Sequence, residues 1–405
     1  MSKKRLLVTA STFPRWPNDT EPRFVYDLAK RLANDFAVLV LCPYIQGSHQ
    51  YEQIDHLKVY RYKYLPCGFE RLAYDGGIMP KLSTHKSLYL QVPFFLLFQL
   101  LAIRRIVKAQ NISCIHAHWI IPQGFTAVLY KQLFNKQINV LLTVHGTDIF
   151  GLTGKVATWV KKFVFRNSDQ IAAVSNSIKN EMRRLGCQKE IYVYPMGVDT
   201  TMFHPNQNNH QMRRQLDIQG PFVLFVGRLA ENKGLRYLMK AMPAVLAEYP
   251  GCKLVIIGSG VLKDQLIDLS KELTIENNVV FLGSVPHETL PTYFATADLV
   301  VAPSIAENRG GSEGFSLVCA EAMSCGTTVV TTDVSGIAEN LKANGIGFIV
   351  KQKNSEEISK MIIQLLNDRD MLGETERRSR EYVTRHLDWS VIGNKYAELI
   401  KSMEG

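Results

Sequence analysis

The seven cysteines, Cys42, Cys67, Cys114, Cys187, Cys252, Cys319 and Cys325, contain no CxxC pair and are odd in number. Neither a disulfide framework nor a cysteine-based zinc site is indicated, so a reducing compartment, the cytoplasm, is expected. Long apolar runs are also lacking. The most apolar stretch, 88–103, is interrupted by Gln91, Pro93 and Gln99 and falls short of the ~20 residues that span a bilayer. Arg104, Arg105 and Lys108 follow it, which leaves two readings open: a buried core helix, or a helix lying in the plane of a membrane interface. The opening Met1-Ser2-Lys3-Lys4-Arg5 precedes only Leu6-Leu7-Val8, too short for a secretory apolar region and better suited to the first strand of a sheet. Low complexity is absent as well. With 46% hydrophobic and 21% charged residues and 27 Gly and 16 Pro spread along the chain, collagen-like and disordered classes are excluded.

What is present is enough chain for two cores, since 405 residues exceed one ordinary domain. The net charge of +10 is unevenly shared: residues 1–205 carry 26 Lys/Arg against 13 Asp/Glu, and residues 206–405 carry 21 against 24. An excess confined to the first half points to an anionic partner there, a membrane surface or nucleic acid. Short Val/Ile/Leu-rich runs alternate with longer amphipathic stretches, the pattern of parallel strands joined by helical crossovers. The runs are 6–9, 37–41, 58–62, 114–116, 140–143, 170–174 and 191–194, then 222–226, 253–257, 279–282, 299–302, 328–331 and 348–350. Two α/β, Rossmann-like doubly wound domains in tandem are therefore expected, with ligands at the carboxyl ends of strands and a shared cleft between the domains. Residues 196–220, with the polar run His204-Pro205-Asn206-Gln207-Asn208-Asn209, read as a linker. This divides the chain into 1–200, 201–385 and a terminal helix, 386–405, packing back on the first domain.

Several segments carry chemistry. Phe225-Val226-Gly227-Arg228-Leu229 follows the first strand of the second half, with Lys233-Gly234 just beyond. Gly227 lets backbone approach a ligand, Arg228 can fork onto two phosphate oxygens, and Lys233 adds a point charge, which suits a diphosphate. Ser312-Glu313-Gly314-Phe315-Ser316-Leu317 opens into a helix carrying Glu321. Amides around Phe315, Ser316 and Leu317 can meet an anion at the helix amino terminus, and Glu313 and Glu321 can accept from paired sugar hydroxyls. In the first half Thr143-Val144-His145-Gly146 places His145 after a strand, and His116 and His118 alternate along a strand and share one face. Asp368-Arg369-Asp370 is a lone DxD in a charged tail and reads as a solvated turn.

The motifs Gly-Arg-Leu-x4-Lys-Gly and Glu-Gly-Phe-x6-Glu-Ala-Met-x-x-Gly resemble those of glycosyltransferase family 4, the glycosyl transferases group 1, enzymes of GT-B architecture. The likeness also takes in Tyr194-Pro195-Met196-Gly197-Val198-Asp199, the segments around Ala297–Ser304 and Asp333–Glu339, and Trp389. It implies that Arg228 and Lys233 bind the diphosphate of a nucleotide-sugar donor, Glu313 the transferred sugar and Glu321 the ribose. The base would lie near Gly258-Ser259-Gly260 and Gly283-Ser284-Val285-Pro286, with Gly260 and Val285 in contact, and His145 would lie beside the reacting sugar. It further implies retaining transfer of a hexose-type sugar from a UDP- or GDP-sugar, with departing phosphate as base, no metal and no cofactor, onto a lipid-linked, polysaccharide or lipopolysaccharide precursor. The basic first half would then serve an enzyme peripheral at the inner face of the cytoplasmic membrane. Two features depart from the family. The opening loop has Phe13-Pro14-Arg15-Trp16-Pro17-Asn18-Asp19-Thr20-Glu21-Pro22 in place of adjacent glycines, so Arg15, Trp16 and Glu21 are candidates for shaping an acceptor pocket, and Met196 replaces an Asn. A nucleotide-sugar 2-epimerase shares the architecture. A nucleic-acid-binding protein would leave the sugar-site residues unexplained, and no nucleic acid is expected as a partner.

Overall fold

The computed structural model describes residues 3–16, 19, 21–74, 77–306 and 314–403. The chain folds as two compact units, Met1–Gly197 with Trp389–Gly405, and Val198–Asp388.

Eight strands make the sheet of the first unit: β1 (Arg5–Thr9), β2 (Ala37–Pro43), β3 (Tyr51–Ile54), β4 (Leu57–Tyr62), β5 (Cys114–His118), β6 (Asn139–Val144), β7 (Gln170–Ala173) and β8 (Tyr192–Val193). Their order is β3-β4-β2-β1-β5-β6-β7-β8, parallel except for β3 against β4. Leu6, Leu7 and Val8 are almost fully buried on both faces of β1, as a central parallel strand covered by helices on either side requires. The second unit has β9 (Phe222–Val226), β10 (Lys253–Ile257), β11 (Val279–Gly283), β12 (Leu299–Ala302), β13 (Thr328–Thr332) and β14 (Phe348–Val350), in the order β11-β10-β9-β12-β13-β14. Along β9 the side chains divide between two cores, Val223 and Phe225 in one and Phe222 and Leu224 in the other, because successive residues of a strand point to opposite faces.

Each sheet reverses its winding once. In the first unit β1 leads to β2 on one side and lies beside β5 on the other; in the second β9 lies between β10 and β12. Such switch points leave a crevice outside the carboxyl ends of the two strands, where the following loops turn in opposite directions. The loops concerned are those after Thr9 and His118, and those after Val226 and Ala302.

Three expectations need correction. The strand β3 was not read from the sequence, since Tyr-Glu-Gln-Ile is short and half exposed. It is held by a tight hairpin through Asp55, whose φ of 51° is left-handed, and by an ion pair from Arg61 of β4 to Glu52. The stretch read as a linker is largely folded structure: from Val198 onward it belongs to the second unit, Phe203 is buried, and the Asn209 side chain accepts the Gln211 and Met212 amides to cap the helix His210–Gln215. The polarity that suggested a linker is that of caps and turns. Asp368 likewise caps a helix, Arg369–His386, by accepting the Met371 amide at 2.9 Å.

The last helix, Trp389–Ser402, joins the first unit. Its buried face carries Trp389, Ile392, Tyr396 and Ile400. Gly393 lies so close to the helix Phe24–Leu32 that an added Cβ would stand 2.9 Å from Cβ of Arg31, and one on Gly197 would meet the Trp389 ring at 2.5 Å. We expect Trp389→Ala to cost about 3–5 kcal/mol of stability, seen as a lower urea midpoint; a loss below about 1 kcal/mol would show that the helix is not integral to the first unit.

Candidate active site

At the switch point of the second sheet, neighbouring loops are in backbone contact. Gly227 donates its amide to Ile257 O at 2.9 Å, Leu229 donates to Ser259 O at 2.9 Å, and Gly258 donates to Gly283 O at 2.8 Å. No side chain fits between these strands' ends. A Cβ on Gly258, whose φ is +139°, would stand 1.9 Å from Gly227 O, and one on Gly260 would stand 2.4 Å from Leu229 O. The turn after β9 is pinned equally tightly to the segment after β12. Ile305 donates to Asn232 O at 2.9 Å, and a Cβ on Gly234, with φ +65°, would lie 1.9 Å from Pro303 O.

This packing places Arg228 and Lys233 on one turn beside Gly227, with Lys233 Cδ 4.0 Å from where a Cβ on Gly227 would sit. Arg228 is exposed and Lys233 half buried. Val285 lies on the neighbouring loop and packs at the edge of the core, while Ser284 Oγ donates to Ser259 Oγ at 3.0 Å. Beyond β12 the chain leads through Gly314, Phe315 and Ser316 into the helix Leu317–Ser324, and the Ser316 side chain makes no capping bond to it. Glu313, expected to hold the transferred sugar, lies outside the described residues. Glu321 is the acidic residue of a largely buried helix that is apolar but for Ser324, and its Oε1 is 3.0 Å from His287 Nε2. His287, which also packs edge-on against Phe203 at 5.2 Å, was missed in the sequence. The signal available was its place, the first ionisable residue after Gly283-Ser284-Val285-Pro286.

In the first unit His145 follows β6 and is bracketed by Phe24 and Trp119, with ring centroids at 5.0 and 4.9 Å. The buried Asp148 carboxylate shapes this loop by accepting the amides of Ile120 (2.8 Å), Gly146 (2.9 Å) and His145 (3.2 Å). Behind His145 stands a relay of imidazoles: His145 Nε2 is 2.9 Å from His118 Nδ1, the His118 ring lies 4.3 Å from that of His116, and His116 Nε2 is 2.9 Å from Thr143 Oγ1. Burial strips these rings of charge, holding His116 and His145 down to about 3 and His118 well below the usual imidazole range. His145 therefore offers a neutral hydrogen-bonding group. Among the described residues no three His, Cys, Asp or Glu are arranged to hold a metal ion.

The loop after β1 uses Arg15 differently from expectation. Its guanidinium turns inward to Asp19, Nε to Oδ2 at 2.9 Å and Nη2 to Oδ1 at 2.7 Å, and stacks 4.4 Å over Trp16. Burial raises the Asp19 carboxyl, but the Arg15 contacts outweigh it and hold the group below the ordinary value. Arg15 is thus committed to bracing its own loop, because a fork–fork pair uses its donors internally. Trp16 remains exposed, whereas Glu21 is buried with its Oε1 4.0 Å from Arg15.

Comparison with known proteins agrees with this organisation. Residues 207–386 match the family model described as glycosyl transferases group 1, and residues 22–202 match that described as glycosyltransferase family 4. An uncharacterised glycosyltransferase of Methanocaldococcus jannaschii is 33% identical over 241 residues, 58% of this chain and 60% of that relative. Among solved structures, sucrose-phosphate synthase of Thermosynechococcus elongatus superposes with a TM-score of 0.80 at 21% identity over 99% of both chains. Anabaena HepE in complex with UDP superposes at 0.75 and 19% identity over 98% of this chain and 100% of that one.

The uncharged histidines have a consequence for stability. Unfolded imidazoles take up protons near pH 6.5 while the folded ones do not, so stability is complete above that pH and falls as pH drops towards 3, by about 1.4 kcal/mol per pH unit for each ring. In urea titrations between pH 7 and 5, His116→Gln, which keeps a nitrogen for Thr143, is expected to lose about one proton's worth of that slope; an unchanged slope would mean His116 is not held neutral.

Proposed function

Because the chain belongs to the family of glycosyl transferases group 1, with two Rossmann-like domains, we propose that it is a retaining, metal-independent transferase. It would move a hexose-type sugar from a UDP- or GDP-sugar onto a lipid-linked or polysaccharide precursor at the cytoplasmic side of a membrane. The observation that carries this reading is the second sheet's switch point, where Gly227, Arg228 and Lys233 sit on loops interlocked at main-chain distance and the helix bearing Glu321 follows β12. In support, the similarly folded HepE is described with UDP bound.

In this reading Arg228 forks onto diphosphate oxygens and Lys233 adds a compact charge, while amides at Phe315 and Ser316 complete an anion site, that of Leu317 donating to Phe315 O at 3.2 Å. Glu321, oriented by His287, accepts from the ribose hydroxyls, and Glu313 from those of the sugar. Transfer breaks the bond between the sugar's anomeric carbon and the diphosphate oxygen, whose electron pair leaves with the phosphate. The acceptor hydroxyl forms the new bond on the same face and gives its proton to the departing phosphate oxygen. Arg228 and Lys233 act where negative charge grows, so they favour the transition state over bound donor. His145, being neutral, hydrogen-bonds the sugar without repelling a positively charged anomeric centre.

Radiolabelled-sugar transfer tests the assignment. Arg228→Ala and Lys233→Ala are each expected to lower kcat/KM for donor by about 10²–10³, and unchanged rates in both at subsaturating donor would defeat it. Glu321→Ala should raise the donor KM by about ten- to a hundredfold with a smaller effect on kcat; a change in kcat alone would remove Glu321 from the ribose.

A further inference from the structure

We propose that the outer face of three neighbouring helices in the first unit, Val92–Gln110, Phe125–Phe134 and Lys155–Asn167, docks on an anionic lipid bilayer. The inference rests on the transferase reading only in supplying the route to its lipid-linked acceptor.

The first of these helices answers the question its sequence left open. One stripe, Phe95, Gln99, Ile103, Ile106 and Val107, is buried against the sheet. The opposite stripe, begun by Leu90 in the preceding turn and continued by Phe94, Leu97 and Leu101, recurs at helical spacing and exposes between 44% and 76% of each side chain. Although its uninterrupted apolar run is short, the segment Lys86–Gln110 contains an 18-residue window with a mean hydropathy of 1.6, long and apolar enough by composition to cross a membrane, yet its buried stripe ties it into the fold and keeps it parallel to the unit's surface. The next helix adds exposed Leu133 and Phe134, and the third adds Trp159, 64% exposed. Aromatic and aliphatic side chains so displayed on a soluble unit mark a contact surface.

Charge identifies the occupant. Between residues 76 and 168 the sequence has eleven Lys/Arg against one carboxylate, Asp148, which is buried in the His145 loop. Arg104, Arg105 and Lys108 extend the apolar stripe of the first helix, and Lys155, Lys162 and Arg166 are exposed on the third. Arg104 stacks 4.5 Å over Phe134, joining two of the helices through a basic group. A second copy of the chain would set like charges against each other across a symmetric contact. A bilayer with anionic headgroups takes both components at once, the apolar stripe at the acyl boundary and the basic side chains reaching up to phosphates.

The test uses the full chain with vesicles of phosphatidylglycerol and phosphatidylcholine, or of phosphatidylcholine alone, sedimented at low and high salt. Binding should be at least about tenfold tighter to the anionic vesicles and should weaken with salt. Leu97→Glu/Leu101→Glu/Trp159→Glu and Arg104→Gln/Arg105→Gln/Lys108→Gln should each lose at least about tenfold, with melting temperature and thermal stabilisation by nucleotide-sugar unchanged. Those last two readouts report on the fold and the transferase reading separately from docking. The proposal is overturned if wild type fails to bind at low salt, if the variants bind as wild type does, or if wild type forms a dimer that the Leu97/Leu101/Trp159 variant dissolves.

Discussion

The second unit depends on backbone meeting backbone at the ends of its central strands. Gly258 against Gly227 O, Gly260 against Leu229 O and Gly234 against Pro303 O leave no volume for even a methyl group. Loops that touch at main-chain distance cannot shift independently, so the sheet sets where the backbone launches the Arg228 and Lys233 side chains. For the transfer proposed above that placement is favourable, because charged groups stabilise a transition state most when they need little reorganisation. It also separates two roles that glycine plays here. At Gly258 and Gly234 the residue tolerates a positive φ as well as a close contact, and an alanine would be strained on both counts.

The two units handle charge in opposite ways. In the second, Arg228 stands exposed on a loop end, the place proposed for an anionic diphosphate. In the first, His116, His118 and His145 are gathered against Thr143, Phe24 and Trp119, and burial keeps them uncharged. A positively charged imidazole beside a sugar that itself becomes cation-like would oppose the reaction, so the desolvation that lowers these rings serves the chemistry proposed for them. Asp148 contributes from behind: by accepting the amides of Ile120, His145 and Gly146 it braces the loop that carries His145.

Much of this was legible in the sequence because the signals are local. Strands buried on both faces read as continuous Val/Ile/Leu runs, and cations directly after such a run fall at a strand's carboxyl end whatever the surrounding packing. What escaped was set by partners distant in the chain. His287 gains a role from Glu321, 34 residues on, and β3 exists because β4 offers an edge and Asp55 a left-handed turn. Arg15 was a candidate for an acceptor pocket because its loop replaces adjacent glycines, but its donors are engaged by Asp19 four positions later, a pairing that neither periodicity nor charge counting reveals. The polar run after Met196 misled for a related reason, since caps and linkers draw on the same residue types.

The helix Val92–Gln110 shows why composition alone could not settle its place. Its mean apolarity is high all round, and a helix apolar on every side is ordinarily either core or membrane. Here the sheet takes one stripe and leaves the other uncovered, so the two readings describe two faces of one element. The polar breaks in the run have different fates: Gln99 is buried, whereas Pro93 is exposed in the first turn, where its missing amide costs nothing. The basic residues begin at Arg104, just where the exposed apolar stripe ends. A helix so divided cannot leave the sheet for a bilayer without exposing Phe95, Ile103 and Ile106 from the core, and it cannot bury its outer stripe within its own unit. An apolar-basic contact made from outside the fold resolves both constraints at once.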